Sequence, residues 1–151
     1  TLIIDDTYNS SPTSSISALD VMKKIPLASE KRKFAILGDM LELGRESVAG
    51  HKKVGKHLVE CGVDKLIVVG ERALDIAAGA REAGMANDDI FTFPSSDDAK
   101  IFVQNRIREG DLILVKGSQG TRMEKIVCEI MAEPLRAEEL LVRHTKDWLN
   151  R

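Results

Sequence analysis

Cysteine is scarce in this chain. Its 151 residues include two, Cys61 and Cys128, far apart and with no CxxC spacing or nearby histidine cluster. That leaves two small buried apolar side chains in a reducing compartment as the expectation, with a disulfide or metal pair as the weaker alternative. Excess charge of one sign is missing too: the formal net charge is -2, which implies no basic face for nucleic acid. No apolar run approaches the ~20 residues of a membrane-spanning helix. The opening Thr1-Leu2-Ile3-Ile4 is strand-like rather than a basic stretch with an apolar leader. A strand at the outset predicts an excised domain whose amino-terminal neighbour is missing. Neither GxxxxGK[ST] nor GxGxxG occurs anywhere. The chain alone is therefore expected to hold no nucleotide tightly, though it can lend side chains to one held elsewhere.

What is present is an ordinary globular balance, 43% hydrophobic and 30% charged. The length suits one domain burying roughly two-thirds of its unfolded surface. Short apolar runs alternate with segments of helical spacing. Leu2 to Asp6, Phe34 to Leu37, Leu66 to Val69, Ile90 to Phe93 and Leu112 to Val115 read as strands. Ser11-Pro12 suits a helix start, with Ser11 as N-cap and proline at the first helical position. Further helices are predicted from about Ser47 to Glu60, around Ala73 to Ala80 with Gly84 as cap, from Ser96 as N-cap through Ile107, and from Met123 to Ile130. Strands without polar alternation are buried on both faces. The expected fold is α/β: a three-layer α/β/α Rossmann-like domain with a mostly parallel sheet of five to six strands. Residues 1–133 form that domain, and residues 134–151 a helical tail packed on it, with Trp148 as its anchor.

Ligands of such sheets bind beyond the carboxyl ends of the strands. Those ends are polar here: Asp5-Asp6-Thr7-Tyr8-Asn9, Gly38-Asp39-Met40, Gly70-Glu71, and Lys116-Gly117-Ser118-Gln119-Gly120-Thr121-Arg122. Asp5 and Asp6 read as paired carboxylates, as an acceptor for a ribose hydroxyl, or as a strand-end turn. Strand alternation lets one of the two face the rim, and Asp6 is the choice. The Lys116 to Arg122 loop has two glycines for close approach, helix-start N–H groups for an anion, and two cations; it reads equally as a plain glycine-rich turn. His51 lies on an apolar helix stripe and reads as a hydrogen-bonded core histidine. His57 and His144 read as surface residues. No Ser-His-Asp or Cys-His set can be assembled.

The segments Asp5 to Pro12, Leu37-Gly38-Asp39-Met40-Leu41-Glu42-Leu43-Gly44, His51 with Val54-Gly55, and Val115-Lys116-Gly117-Ser118 with Met123-Glu124 occur in that order. Together they resemble the C-terminal domain of the Mur ligases, in the branch that adds D-Ala-D-Ala. The resemblance covers residues 1 to about 131. It implies an ATP-dependent amide ligase of peptidoglycan precursor synthesis in the bacterial cytoplasm. The chain's own N-terminal domain would hold UDP-N-acetylmuramoyl-tripeptide, and a central domain the P-loop and Mg2+. The whole is expected to be a monomer, and this domain alone inactive. Carried over, Asp6 approaches the ATP ribose, with Tyr8, Asn9 and Ser11 in the same nucleotide-side loop. Asp39, Lys116, Gly117, Ser118 and Gln119 face the D-Ala-D-Ala side. The family usually has Asn-Ala-Asn-Pro at 9–12 and often arginine at 119, a charge that Arg122 would supply here. No catalytic residue and no metal ligand is assigned within the domain. Another Mur-type amino-acid ligase, or a non-catalytic Rossmann-like small-ligand module, remains open.

Overall fold

A computed structural model of the chain describes residues 2–6, 10–28, 30–41, 43–117 and 122–130, with the backbone alone at 2 and 6. Among the described residues, five strands and five α-helices alternate: β1 (Leu2–Asp6), α1 (Pro12–Lys24), β2 (Lys33–Gly38), α2 (Ser47–Glu60), β3 (Lys65–Val69), α3 (Leu74–Glu82), β4 (Ile90–Phe93), α4 (Ser96–Arg106), β5 (Leu112–Lys116) and α5 (Glu124–Ile130). The expected tail and Trp148 lie outside the described residues. Among the described residues, no helix is long and apolar enough to cross a membrane.

Local chemistry explains the helix boundaries. Ser11 is extended and caps α1: its Oγ accepts from Ser14 N–H at 3.1 Å, while Ser14 Oγ accepts from Ser11 N–H at 2.9 Å. Pro12 takes the first helical position, and Pro26 follows the C-cap Ile25. The N-cap of α4 is Ser95, not Ser96 as the sequence suggested. Ser95 has the extended backbone a cap requires and accepts from Asp98 N–H, whereas Ser96 is already helical and buried. Gly84 follows α3 with φ +103, the left-handed stop that glycine provides.

The sheet is wholly parallel in the order β1-β5-β2-β3-β4. Alternation along each strand divides the core in two. Ile4, Ala35, Leu37, Leu66, Val68, Leu112 and Leu114 pack with α1, α2 and α3 through Leu19, Met22, Val54, Leu58, Ile76 and Ala77. Ile3, Phe34, Ile36, Ile67, Val69, Ile113 and Val115 pack with α4 and α5 through Ala99, Val103, Met123, Ile126 and Val127. These are the three expected layers, and most of these side chains are almost wholly withdrawn from water. Each of the larger ones, valine, leucine, isoleucine, phenylalanine or methionine, stabilises by about 1.5–3 kcal/mol relative to exposure. Helices α2 and α3 touch backbone to backbone. A Cβ at Gly55 would sit 2.0 Å from Ile76 O, and one at Gly79 would sit 2.2 Å from Lys52 O.

The two cysteines part company. Cys61 is buried as expected; Cys128 is exposed, and both are free thiols. The apolar stripe of α5 turns Ile126 and Val127 inward, which rotates the next residue, about 100° further on, toward solvent.

The topology fixes where a ligand can approach. The chain runs β1, β2, β3, β4 with its crossover helices on one face, then returns with α4 on the other to place β5 between β1 and β2. The connection leaving β1 heads for α1 on one face, and the one leaving β5 heads for α5 on the opposite face. Such diverging exits mark the carboxyl edge as the place where a ligand crevice is expected in sheets of this kind.

Candidate functional site

The described residues marked by the sequence come together at that edge. Asp6 ends β1 and is the register partner of Lys116, which ends β5. Lys116 is in turn the partner of Leu37, two residues before Asp39. Three adjacent strands, about 4.8 Å apart, thus deliver Asp6, Lys116-Gly117 and Asp39 to one edge. Tyr8, Asn9, Ser118 and Gln119 lie outside the described residues.

Lys116 is inside the rim rather than on its surface, with 1% of its area exposed. Gly117, next in line, is also buried. Asp5 is 3% exposed. Its carboxylate lies near enough to α5 to help hold the Cys128 thiol above its ordinary range, after burial as the larger cause. Strand alternation puts Asp5 on the face of Ile3, the one covered by α4 and α5.

Asp39 is built into the wall. Its Oδ1 accepts from Ala73 N–H at 2.7 Å, at the start of α3, where the helix dipole favours an anion. Gly70, with φ +110, lies against the same carboxylate; a Cβ there would fall 2.5 Å from Oδ1. The neighbouring residue is fixed by His51, which is wholly buried. Met40 N–H donates to His51 Nε2 at 3.0 Å, and His51 Nδ1–H donates to Ser47 O at 2.6 Å. One neutral tautomer satisfies both bonds, so the expectation of a hydrogen-bonded core histidine holds.

Two further residues have local commitments. The Ser11 hydroxyl serves the cap of α1. Arg122 is an exposed non-glycine residue with φ +54, and its guanidinium pairs with Glu124 at 2.5 Å. The hydrogen bond and charge of Glu124 hold that guanidinium above its ordinary range. Among the described residues, the rim carries no group of three metal-ligating side chains; such a group, Asp20-His57-Cys61, occurs elsewhere.

Sequence reasoning missed three features. Asp39 serves α3, a contact between elements that no spacing reveals. His57 is half-buried against Asp20 rather than a surface residue; α1 packs over that end of α2. Arg32 and Asp111 pair across 79 positions. Only the i, i+4 spacing of His57 and Cys61 gave a signal in advance.

The comparisons with known proteins agree with this fold. The family model described as "Mur ligase, glutamate ligase domain" matches residues 1–119. The chain is 34% identical over 133 residues to the UDP-N-acetylmuramoyl-tripeptide–D-alanyl-D-alanine ligase of Bacillus subtilis, covering 88% of this chain and 28% of that protein. To the enzyme of the same name from Escherichia coli it is 31% identical, covering 83% and 26%. Among solved structures, MurF from Acinetobacter baumannii superposes with a TM-score of 0.72 at 30% identity, covering 87% of this chain and 28% of that one. MurF from Thermotoga maritima, in complex with ADP, gives 0.69 at 26% identity, covering 91% and 29%. The chain thus spans a little over a quarter of the length of these relatives. With the five-stranded parallel sheet, the polar carboxyl edge and the family match in place, the chain belongs to the Mur ligase family, as its C-terminal domain.

Proposed function

We propose that this domain is the closing third of a bacterial cytoplasmic ATP-dependent ligase that joins D-Ala-D-Ala to UDP-N-acetylmuramoyl-tripeptide. The observation that carries the reading is the convergence of Asp6, Lys116-Gly117 and Asp39 on one edge of a sheet that has no P-loop of its own. The shared length with ligases of that name, about a quarter, supports a partnership with the chain's own N-terminal and central domains, the latter holding the P-loop and Mg2+. The working unit is a monomer.

In the reaction, a carboxylate oxygen of the tripeptide attacks the γ-phosphorus of ATP and ADP leaves. The amine of D-Ala-D-Ala then attacks the acyl carbon, phosphate departs, and the nitrogen gives up a proton. Neither step needs a side-chain nucleophile; both need alignment and charge stabilisation. Asp6 accepts from a ribose hydroxyl, with Tyr8 and Asn9 beside the nucleotide and Ser11 fixing where α1 begins. Asp39 and the loop Lys116, Gly117, Ser118 and Gln119 form the dipeptide side, with Arg122 at its far end. The buried Lys116 supplies positive potential where phosphate and carboxylate charge accumulates. Closure of the domain excludes water that would hydrolyse the acyl phosphate.

In the full-length ligase, Asp6→Ala is expected to raise the KM for ATP about tenfold or more, in line with the loss of one good hydrogen bond to a charged group. Steady-state kinetics with an unchanged KM would remove Asp6 from the nucleotide site. The 151-residue chain alone is expected to show no ligase turnover and weak ATP binding. Submicromolar affinity by calorimetry would instead support a free-standing binding module. Turnover with a single amino acid in preference to D-Ala-D-Ala would select another Mur-type ligase.

A further inference from the structure

Away from the rim, α1 and α2 bring three metal-ligating groups together. His57 and Cys61 are one turn apart at the end of α2 and share a face. Asp20 approaches from α1. His57 Nε2 lies 2.7 Å from Asp20 Oδ1, Cys61 Sγ lies 3.9 Å from the same oxygen, and all three ligand atoms fall within 4.8 Å of one another. We propose that Asp20, His57 and Cys61 form a site for a thiophilic divalent transition metal of the zinc class, which clips α1 to α2.

The spacing and the donors fit that ion. Tetrahedral zinc with bonds of about 2.0–2.3 Å sets its ligand atoms roughly 3.3–3.7 Å apart. Entry of the ion therefore parts His57 from Asp20 and draws the sulfur inward, each by about 1 Å or less, a change of rotamer scale. One imidazole, one thiolate and one carboxylate select zinc-class ions over magnesium or calcium, which demand oxygen. The ion displaces the Nε2 proton that lies between His57 and Asp20 and the thiol proton that Cys61 directs at Asp20, and both pass to solvent. Glu60 Oε2 lies 3.5 Å from His57 Nδ1, so a second carboxylate stands ready to accept the other ring N–H and orient the imidazole, as around many metal-bound histidines. Three protein ligands leave a fourth position for water. Asp20 is half-exposed, which gives the ion a path from solvent. The site lies at the end of α2 remote from the catalytic rim, so its effect falls on helix packing and stability.

The test is titration of the reduced 151-residue chain with Co2+, then with Zn2+. The expected result is one equivalent bound, with a thiolate-to-cobalt charge-transfer band and the visible absorption of tetrahedral cobalt. Zn2+ should displace the cobalt and raise Tm. Cys61→Ser should abolish the charge-transfer band, and Asp20→Asn, at a half-exposed position, should weaken binding about tenfold or more. Cys128→Ser should leave the band intact. Absence of the band in the parent chain, its survival in Cys61→Ser, its loss in Cys128→Ser, or unchanged affinity in Asp20→Asn would each overturn the proposal. Asp20→Asn keeps the test decisive should Cys61→Ser fail to fold.

Discussion

At the amino-terminal edge of the sheet, Arg32 grips Asp111 through two bonds, Nη2 to Oδ2 at 3.0 Å and Nε to Oδ1 at 3.3 Å, while Arg108 N–H adds a third at 2.8 Å. Lys33 N–H donates to Asp64 at 2.8 Å, and Lys65 pairs with Asp89 at 2.5 Å. At the carboxyl edge, by contrast, Lys116 is sealed inside, Asp39 is bonded to one helix start, and the strands end in acids, glycines and amides. The same sheet thus has one edge whose charges satisfy each other and another whose polar groups gather where the strands end. Charges at the first edge tie neighbouring strands to one another, whereas the groups at the exits of diverging strands are the ones that the proposed function assigns to ligands. In a parallel sheet the two tasks separate along the strand direction.

This contrast can be broken by mutation. Asp111→Ala should have the largest effect on stability, about 3 kcal/mol, because it removes three hydrogen bonds to a buried carboxylate and leaves Arg32 with the Arg106 carbonyl and the Phe34 ring alone; urea denaturation would measure it. At the rim, His51→Ala should cost about 2 kcal/mol by leaving Met40 N–H unpartnered and opening a small cavity. A larger loss from His51→Ala than from Asp111→Ala would reverse the assignment of the stabilising edge. Ser11→Ala should cost about 1 kcal/mol, as for other N-caps, read as a lower midpoint with an unchanged slope.

The smallest effect concerns α4 and α5. Asp97 bonds Lys125 at 3.0 Å and pairs with Lys100 at 3.4 Å, and these lysines hold its carboxyl below the ordinary range. A depressed carboxyl stabilises the fold above the unfolded aspartate range and loses that contribution as pH falls through its own lower value. Asp97→Asn should therefore lower Tm slightly at neutral pH and leave it unchanged in strong acid. A Tm difference that grows on acidification would contradict the pairing.

Much of the fold was legible because the signals are local. The apolar runs at Phe34 to Leu37 and Leu112 to Val115, the Ser11-Pro12 start and the Gly84 stop each report on neighbouring residues, and the structure has them where expected. The slip from Ser95 to Ser96 shows the limit: either serine offers a capping oxygen, and the extended backbone at Ser95 decides. The rim was legible as a set of strand ends, because parallel strands place their carboxyl ends together. The depth of Lys116 was not, since it depends on β5 lying between β1 and β2. Nor was the grouping of Asp20 with His57 and Cys61, which depends on how α1 packs over the end of α2.

Sequence by itself determined the parallel α/β class, the element boundaries to within a residue or so, and which loops share an edge. Those follow from hydrophobic period, cap chemistry and strand direction, all encoded within a few residues of each site. Tertiary structure alone decided that β5 inserts between β1 and β2, that Asp39 bonds α3, and that Arg32 meets Asp111. Such contacts join segments tens of residues apart, and no local preference specifies them until the layers have packed.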